Sequence, residues 1–105
     1  MFAFLEAPLF TTLVGEYVTD GEYAALQQAL SEDPDLGDVI PGSGGVRKVR
    51  WVIQGRGKRA GIRVIYYLRL QQATIWMLTL YAKNETESIS GSVLKKIKEE
   101  LDGEG

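Results

Sequence analysis

The chain contains no cysteine and no histidine. The first absence excludes disulfides, thiolate metal sites and a cysteine nucleophile. The second removes the usual general base, the commonest metal ligand and any serine–histidine machinery. No apolar run approaches the roughly 18 residues that a membrane span needs. The opening MFAFLEAPLF has no basic region and carries Glu6 early, so it makes a poor signal peptide. The expected address is therefore cytoplasmic. The most informative gap is one of charge sign, because no Asp or Glu occurs between Val39 and Asn84.

That same stretch holds nine basic residues, whereas residues 1–38 carry eight acids and no Lys or Arg. Residues 85–105 add six acids against three lysines, so the formal net charge of −2 conceals a strongly cationic middle. Basic blocks of this kind attract polyanions, nucleic acid being the commonest. At 105 residues and 45% hydrophobic, the chain is expected to form one domain spanning 1–105 with a real core.

Phe2, Phe4 and Leu5 suggest an opening strand that ends at Pro8. Leu9, Phe10, Leu13, Val14, Tyr17 and Val18 recur at helical spacing, and proline is well tolerated in a helix's first turn. Thr19 with Glu22 reads as a capping box for a second helix whose apolar stripe is Tyr23, Leu26, Ala29 and Leu30. Asp33-Pro34 ends it, and DLGDVIPGSGG (Asp35–Gly45) reads as a long turn. The period then changes to two. Val46–Ile53, Gly61–Leu68 and Thr74–Ala82 read as three consecutive strands forming an antiparallel meander, with hairpin connections at Gln54–Ala60 and Arg69–Gln72. Ser88 or Ser90 caps a closing helix with Ile89, Val93, Leu94, Ile97 and Leu101 on one face, stopped by Gly103. The predicted class is α+β, in the order β-α-α-β-β-β-α, with a twisted, mainly antiparallel sheet packed against helices.

Strand alternation places Lys48 and Arg50 on the face opposite Val49, Trp51 and Ile53. Arg63, Ile65 and Tyr67 share one face of the next strand, and Ile75, Met77, Thr79, Tyr81 and Lys83 one face of the third. Paired as a meander, the strands bring Lys48, Arg50, Arg63, Tyr81 and Lys83 to one exposed patch; the bland alternative is a solvated outer face. The missing carboxylates bear on the chemistry. Metal-assisted phosphodiester cleavage needs acids to hold the ion, and a cationic patch suits a metal-free cut of RNA, which brings its own 2′-hydroxyl nucleophile. Arginine stays charged and binds phosphate bidentately. A lysine crowded by cations becomes a possible base, and tyrosine shuttles a proton or stacks on a base. No cofactor or metal is expected.

GSGG (Gly42–Gly45) and GRGK (Gly55–Lys58) resemble phosphate loops only superficially, since neither completes G-x-x-x-x-G-K-S/T ahead of a helix. Turn geometry is the better explanation. Arg47, beside the basic pair, and Arg56, Lys58 and Arg59 at the hairpin tip are candidates for contact with RNA backbone. Lys95, Lys96 and Lys98 read as a solvated helix face, and Trp51 and Trp76 as core.

Three motifs in order, GSGGVRKVRW (Gly42–Trp51), GRGKRAGIRVIYY (Gly55–Tyr67) and LYAKNE (Leu80–Glu85), resemble the HigB-like branch of the RelE/ParE toxin superfamily. The resemblance covers nearly the whole chain. It implies a small RelE-like, microbial ribonuclease-type fold and a type II toxin that cuts messenger RNA on the 70S ribosome without metal, by attack of the 2′-hydroxyl. It also implies a HigA-like helix-turn-helix antitoxin as partner, and operator DNA bound only through that antitoxin. Position by position, Lys48 and Arg50 match the basic pair implicated in proton transfer and phosphate binding, and Arg63 matches the arginine that stabilises the phosphate. Two departures are visible. The best-studied branch has an arginine where this chain has Asn84, and a tyrosine near the chain end where this one has Ser90. Tyr81 and Lys83 stand in as the acid/base candidates. The alternatives are a non-catalytic member that binds RNA or antitoxin only, and a ParE-like gyrase inhibitor.

Overall fold

The computed structural model describes residues 2–52, 61–82 and 91–103. Among them the order is β1 (Ala3–Glu6), α1 (Pro8–Tyr17), α2 (Asp20–Glu32), β2 (Asp38–Val39), β3 (Arg47–Val52), β4 (Gly61–Arg69), a 3₁₀ turn (Leu70–Gln72), β5 (Thr74–Ala82) and α3 (Gly91–Gly103). Local chemistry sets several boundaries. Pro8 sits in the first turn of α1, where its missing N–H is not needed. Thr19 caps α2 reciprocally: its hydroxyl accepts from the Glu22 amide at 3.1 Å, and the Glu22 carboxylate accepts from the Thr19 amide at 2.8 Å.

The five strands form one mixed sheet in the order β1-β5-β4-β3-β2. β3, β4 and β5 make the expected antiparallel meander, β2 pairs antiparallel to β3, and β1 runs parallel to β5 at the other edge. The protein is thus a small α+β domain with both sheet faces covered. On one face Phe10, Val18, Leu26 and Leu30 of the α1–α2 unit pack on Val49, Ile62, Val64, Tyr66, Ile75, Met77 and Leu80. On the other face Leu94 of α3, flanked by Ile97 and Leu101, meets Val46, Ile65, Leu78 and Tyr81. Trp51 packs against the first core and Trp76 against the second, in keeping with the core reading.

Two details depart from the sequence reading. The segment expected to be one long turn contains the two-residue strand β2. The alternation expected along β5 breaks at Leu78, because Ile65 pairs with Thr79 while Tyr66 pairs with Met77. The extra residue is a β-bulge. Ile75 and Met77 therefore belong to the α1–α2 side, and Thr79 and Tyr81 to the α3 side.

Candidate functional site

On the α3 side of the sheet the register builds two adjacent rows. One row is Arg50 opposite Arg63 and Arg63 opposite Tyr81, crossing β3, β4 and β5. The next, about 6.6 Å away along the strands, is Asp38 opposite Lys48, then Ile65 and Thr79. Directly paired residues share a face, with Cβ atoms about 5 Å apart. Lys48, Arg50, Arg63 and Tyr81 therefore gather on one surface, bordered by α3 through the packing of Tyr81 with Leu94. Arg50 is exposed, Lys48 and Arg63 are half-buried, and Tyr81 is buried.

The bulge at Leu78 is what delivers Tyr81. Strict alternation from Met77 would turn Tyr81 into the α1–α2 core; the added residue reverses the phase and sets it beside Arg63. The glycine opening β4 has a matching part. A Cβ on Gly61 would lie 3.2 Å from Arg50 Nε and 3.4 Å from Arg63 Nη1. Both guanidinium side chains thus lie along the bare flank of this residue.

Among the described residues no acid is ion-paired to the row. Arg50 and Arg63 oppose each other directly, and like charges in that relation destabilise a sheet. None of Lys48, Arg50 and Arg63 forms an ion pair with a described carboxylate, and Arg63 Nη1 is a buried donor with no hydrogen-bond partner among the described residues. Buried donors are nearly always satisfied. Two arginines held together with an orphan donor between the core and the surface make a receptor for an anion, and phosphate fits their planar, bidentate geometry.

Arg47 has a different place. It points to the other side of β3, ion-paired to Asp35 at 3.1 Å and donating from Nη1 to the Gly37 carbonyl at 2.6 Å. As a candidate RNA contact it is separated from the cation row by the sheet itself, since odd and even positions of a strand face opposite ways. Its work is to tie the segment before β2. Tyr66, fully buried, does the same from below, accepting from the Gly37 amide at 2.9 Å and donating to the Pro34 carbonyl at 2.7 Å. Burial pushes the Tyr66 phenol pKa upward, against the smaller opposing pull of the Gly37 amide and Arg47.

Sequence reasoning missed Asp38. The acid lies one residue outside the acid-free block, yet β2 folds it back directly opposite Lys48. Its backbone approach is close. A Cβ on Gly37 would sit 2.8 Å from the Lys48 carbonyl oxygen, so only glycine allows the contact. The Gly-Asp pair at 37–38 was the available signal, a turn residue followed by an acid at the foot of a basic strand.

Lys83, Arg56, Lys58 and Arg59, together with Asn84 and Ser90, lie outside the described residues. The GSGG segment is a turn: Gly42, Gly44 and Gly45 have positive φ, and the Ser43 hydroxyl bonds the Ile40 carbonyl and the Val46 amide. Lys95 and Lys98 lay their stems over Gly44, and the Lys98 ammonium stands 4.9 Å from the centre of the Tyr67 ring. Lys98 is therefore part of the packing between α3 and the sheet rather than a purely solvated charge. A cavity of about 430 Å³ lined by residues 67–72 opens at the other end of β4 from Arg63 and is not part of this site. Among the described residues no three Asp or Glu side chains cluster as a metal site would need, and no helix is long and apolar enough to cross a membrane. No known protein-family model matches the chain.

Proposed function

We propose that the protein is the toxin of a type II toxin–antitoxin pair, a ribosome-dependent endonuclease that cuts messenger RNA without metal and so inhibits translation. The observation that carries this reading is the Arg50–Arg63–Tyr81 row, two arginines with no ion pair among the described residues and a phenol on one face beside Lys48. Arg50 and Arg63 clamp the scissile phosphate and offset the charge that grows on its oxygens in the transition state. Lys48 adds a third positive charge, and Tyr81 is placed to move a proton or stack on a base. The three motifs quoted above and the β3–β4–β5 meander between two helical layers support a RelE-like ribonuclease-type fold. The overall negative charge, with pI near 5.1, supports dependence on the ribosome, because acidic flanks weaken capture of free RNA. A HigA-like helix-turn-helix antitoxin is the partner in this reading, and operator DNA is met only through it.

The test is expression in a bacterial host with mapping of messenger RNA 5′ ends. Growth should stop, the new ends should fall in phase with codons, and Arg63→Ala should lose both effects while remaining folded by circular dichroism. A fully toxic, folded Arg63→Ala overturns the assignment of the row. Growth arrest without codon-phased ends, accompanied by loss of gyrase supercoiling, would move the protein to the gyrase-inhibitor class.

A further inference from the structure

We infer that Asp38 is the general base of this site and that Lys48 acts as a cation. The inference rests on the endonuclease reading and adds to it the group that takes the proton.

Three observations point to Asp38. First, among the described residues it is the acid that the sheet register sets on the cation face, directly opposite Lys48 and diagonal to Arg50. Second, its position is built. The Tyr66 hydroxyl, the Arg47 guanidinium and the tight approach of Gly37 to the Lys48 carbonyl all fasten the residues just before it. Asp38 itself is exposed, so the fastening fixes its backbone on the sheet while its carboxylate stays open to a substrate. Third, the order of the strands suits in-line displacement. Tyr81 on β5 and Asp38 on β2 stand at the two ends, with Arg63, Arg50 and Lys48 between. Three strand spacings together with the offset of one row put the two backbone positions about 16 Å apart. A phosphate held by the arginines would have a carboxylate on one side and a phenol on the other, as attack and departure from opposite faces require.

The step balances with these groups alone. The Asp38 carboxylate accepts the proton of the 2′-hydroxyl as that oxygen attacks phosphorus. The bond from phosphorus to the 5′-oxygen breaks, and the leaving oxygen takes the phenolic proton of Tyr81. The products are a 2′,3′-cyclic phosphate and a 5′-hydroxyl, and water returns the proton from Asp38 to Tyr81. The charged groups facing Asp38 are Lys48 across and Arg50 on the diagonal, while Lys95 and Lys98 approach the neighbouring loop at Gly44 from α3. Asp35 and Arg47 face the opposite side.

The experiment is single-turnover cleavage of messenger RNA on programmed ribosomes by the full chain, across a pH series, with Asp38→Asn, Asp38→Glu and Lys48→Arg. Wild-type cleavage should rise with pH as the general base loses its proton. Asp38→Asn, checked for an unchanged melting transition, should be slower by about 10²–10⁴-fold and should lose that rise. Asp38→Glu should restore part of the rate together with the rise. Lys48→Arg, which keeps the charge but cannot serve as a base, should preserve the rise whatever its absolute rate. Asp38→Asn within threefold of wild type, or a rise that vanishes with Lys48→Arg and persists in Asp38→Asn, overturns the inference while leaving the endonuclease reading intact. A wild type that cuts no message removes both.

Discussion

Replacing Tyr66 by Phe tests the anchoring of the segment before β2 without touching the cation row. The phenol is fully buried, and its oxygen is the partner of both the Gly37 amide at 2.9 Å and the Pro34 carbonyl at 2.7 Å. Phenylalanine keeps the ring and its packing but leaves both backbone groups without a partner. Gly37 is buried, so its amide bears the penalty of an orphaned donor, about 1–3 kcal/mol. Pro34 is half-buried and can regain water, so its carbonyl loses only the net worth of a bond, about 1 kcal/mol. The sum is about 2–4 kcal/mol, a large fraction of the 5–15 kcal/mol that holds a typical domain together.

In urea, with a slope of about 2 kcal/mol per molar, the midpoint should fall by about 1–2 M at unchanged slope. The melting temperature should fall by roughly 8–32 °C, taking about 4–8 °C per kcal/mol for a domain near this size. An unchanged slope matters, since it keeps the comparison within one unfolding reaction. A loss below about 0.5 kcal/mol, the usual range of a surface substitution, would refute the reasoning. It would mean that the Gly37 segment is held by Arg47 alone.

Three further perturbations follow from the same geometry. Tyr23 and Tyr66 both have phenol pKa values raised above the ordinary 10 by burial, Tyr23 with added help from its hydrogen bond to Glu6. Because the folded value lies above the unfolded one, their stabilisation is complete below pH 10 and disappears as pH rises beyond it, by up to about 1.4 kcal/mol per pH unit for each. Urea titrations above pH 10 should therefore show a falling stability whose slope lessens in Tyr23→Phe and again in Tyr66→Phe; equal slopes in all three proteins would contradict this. Arg50→Gln relieves a direct like-charge pair, so it should stabilise the fold by a few tenths to about 1 kcal/mol at low salt, less at high salt, while abolishing cleavage; destabilisation would show that Arg50 has a structural partner. Gly37→Ala places a Cβ 2.8 Å from the Lys48 carbonyl oxygen. It should cost about 1–3 kcal/mol by overpacking and loosen the amides of residues 38 and 39 in hydrogen exchange, and unchanged protection there would show that β2 does not depend on the contact.

Much of the fold was legible because local chemistry and period agreed. Thr19 and Glu22 announced the start of α2, and β3 alternated cleanly enough to separate Lys48 and Arg50 from Val49 and Trp51. Along β5 the sequence Ile75–Leu80 is nearly continuous in apolar side chains, because the sheet is covered on both faces. A strand buried on both sides carries no alternation from which its phase can be read. The bulge at Leu78 was therefore invisible, even though Tyr81 owes its position to it. β2 was invisible for another reason. Two residues inside a glycine-rich segment have no period at all, and their pairing is decided by contacts from residues 47, 48 and 66, far along the chain.

Charge explains why the missed residue matters. The sequence divides into an acidic first third and a basic middle, and a linear reading sets them apart. The fold interleaves them at β3, where successive positions face opposite ways. Asp35 reaches Arg47 on the α1–α2 side, and Asp38 stands opposite Lys48 on the α3 side. The first pairing removes Arg47 from the cationic total and turns it into an anchor. The second leaves Lys48, Arg50 and Arg63 together with, among the described residues, one carboxylate at their margin. An anion-binding row needs an excess of positive charge, whereas acid–base chemistry needs a group that can take up a proton near neutrality, and a site made only of lysine and arginine supplies the first without the second. The acid-free block on its own describes a binding surface. One aspartate from the neighbouring acidic segment, held by Gly37, Arg47 and Tyr66, is the smallest addition that makes it a candidate for catalysis.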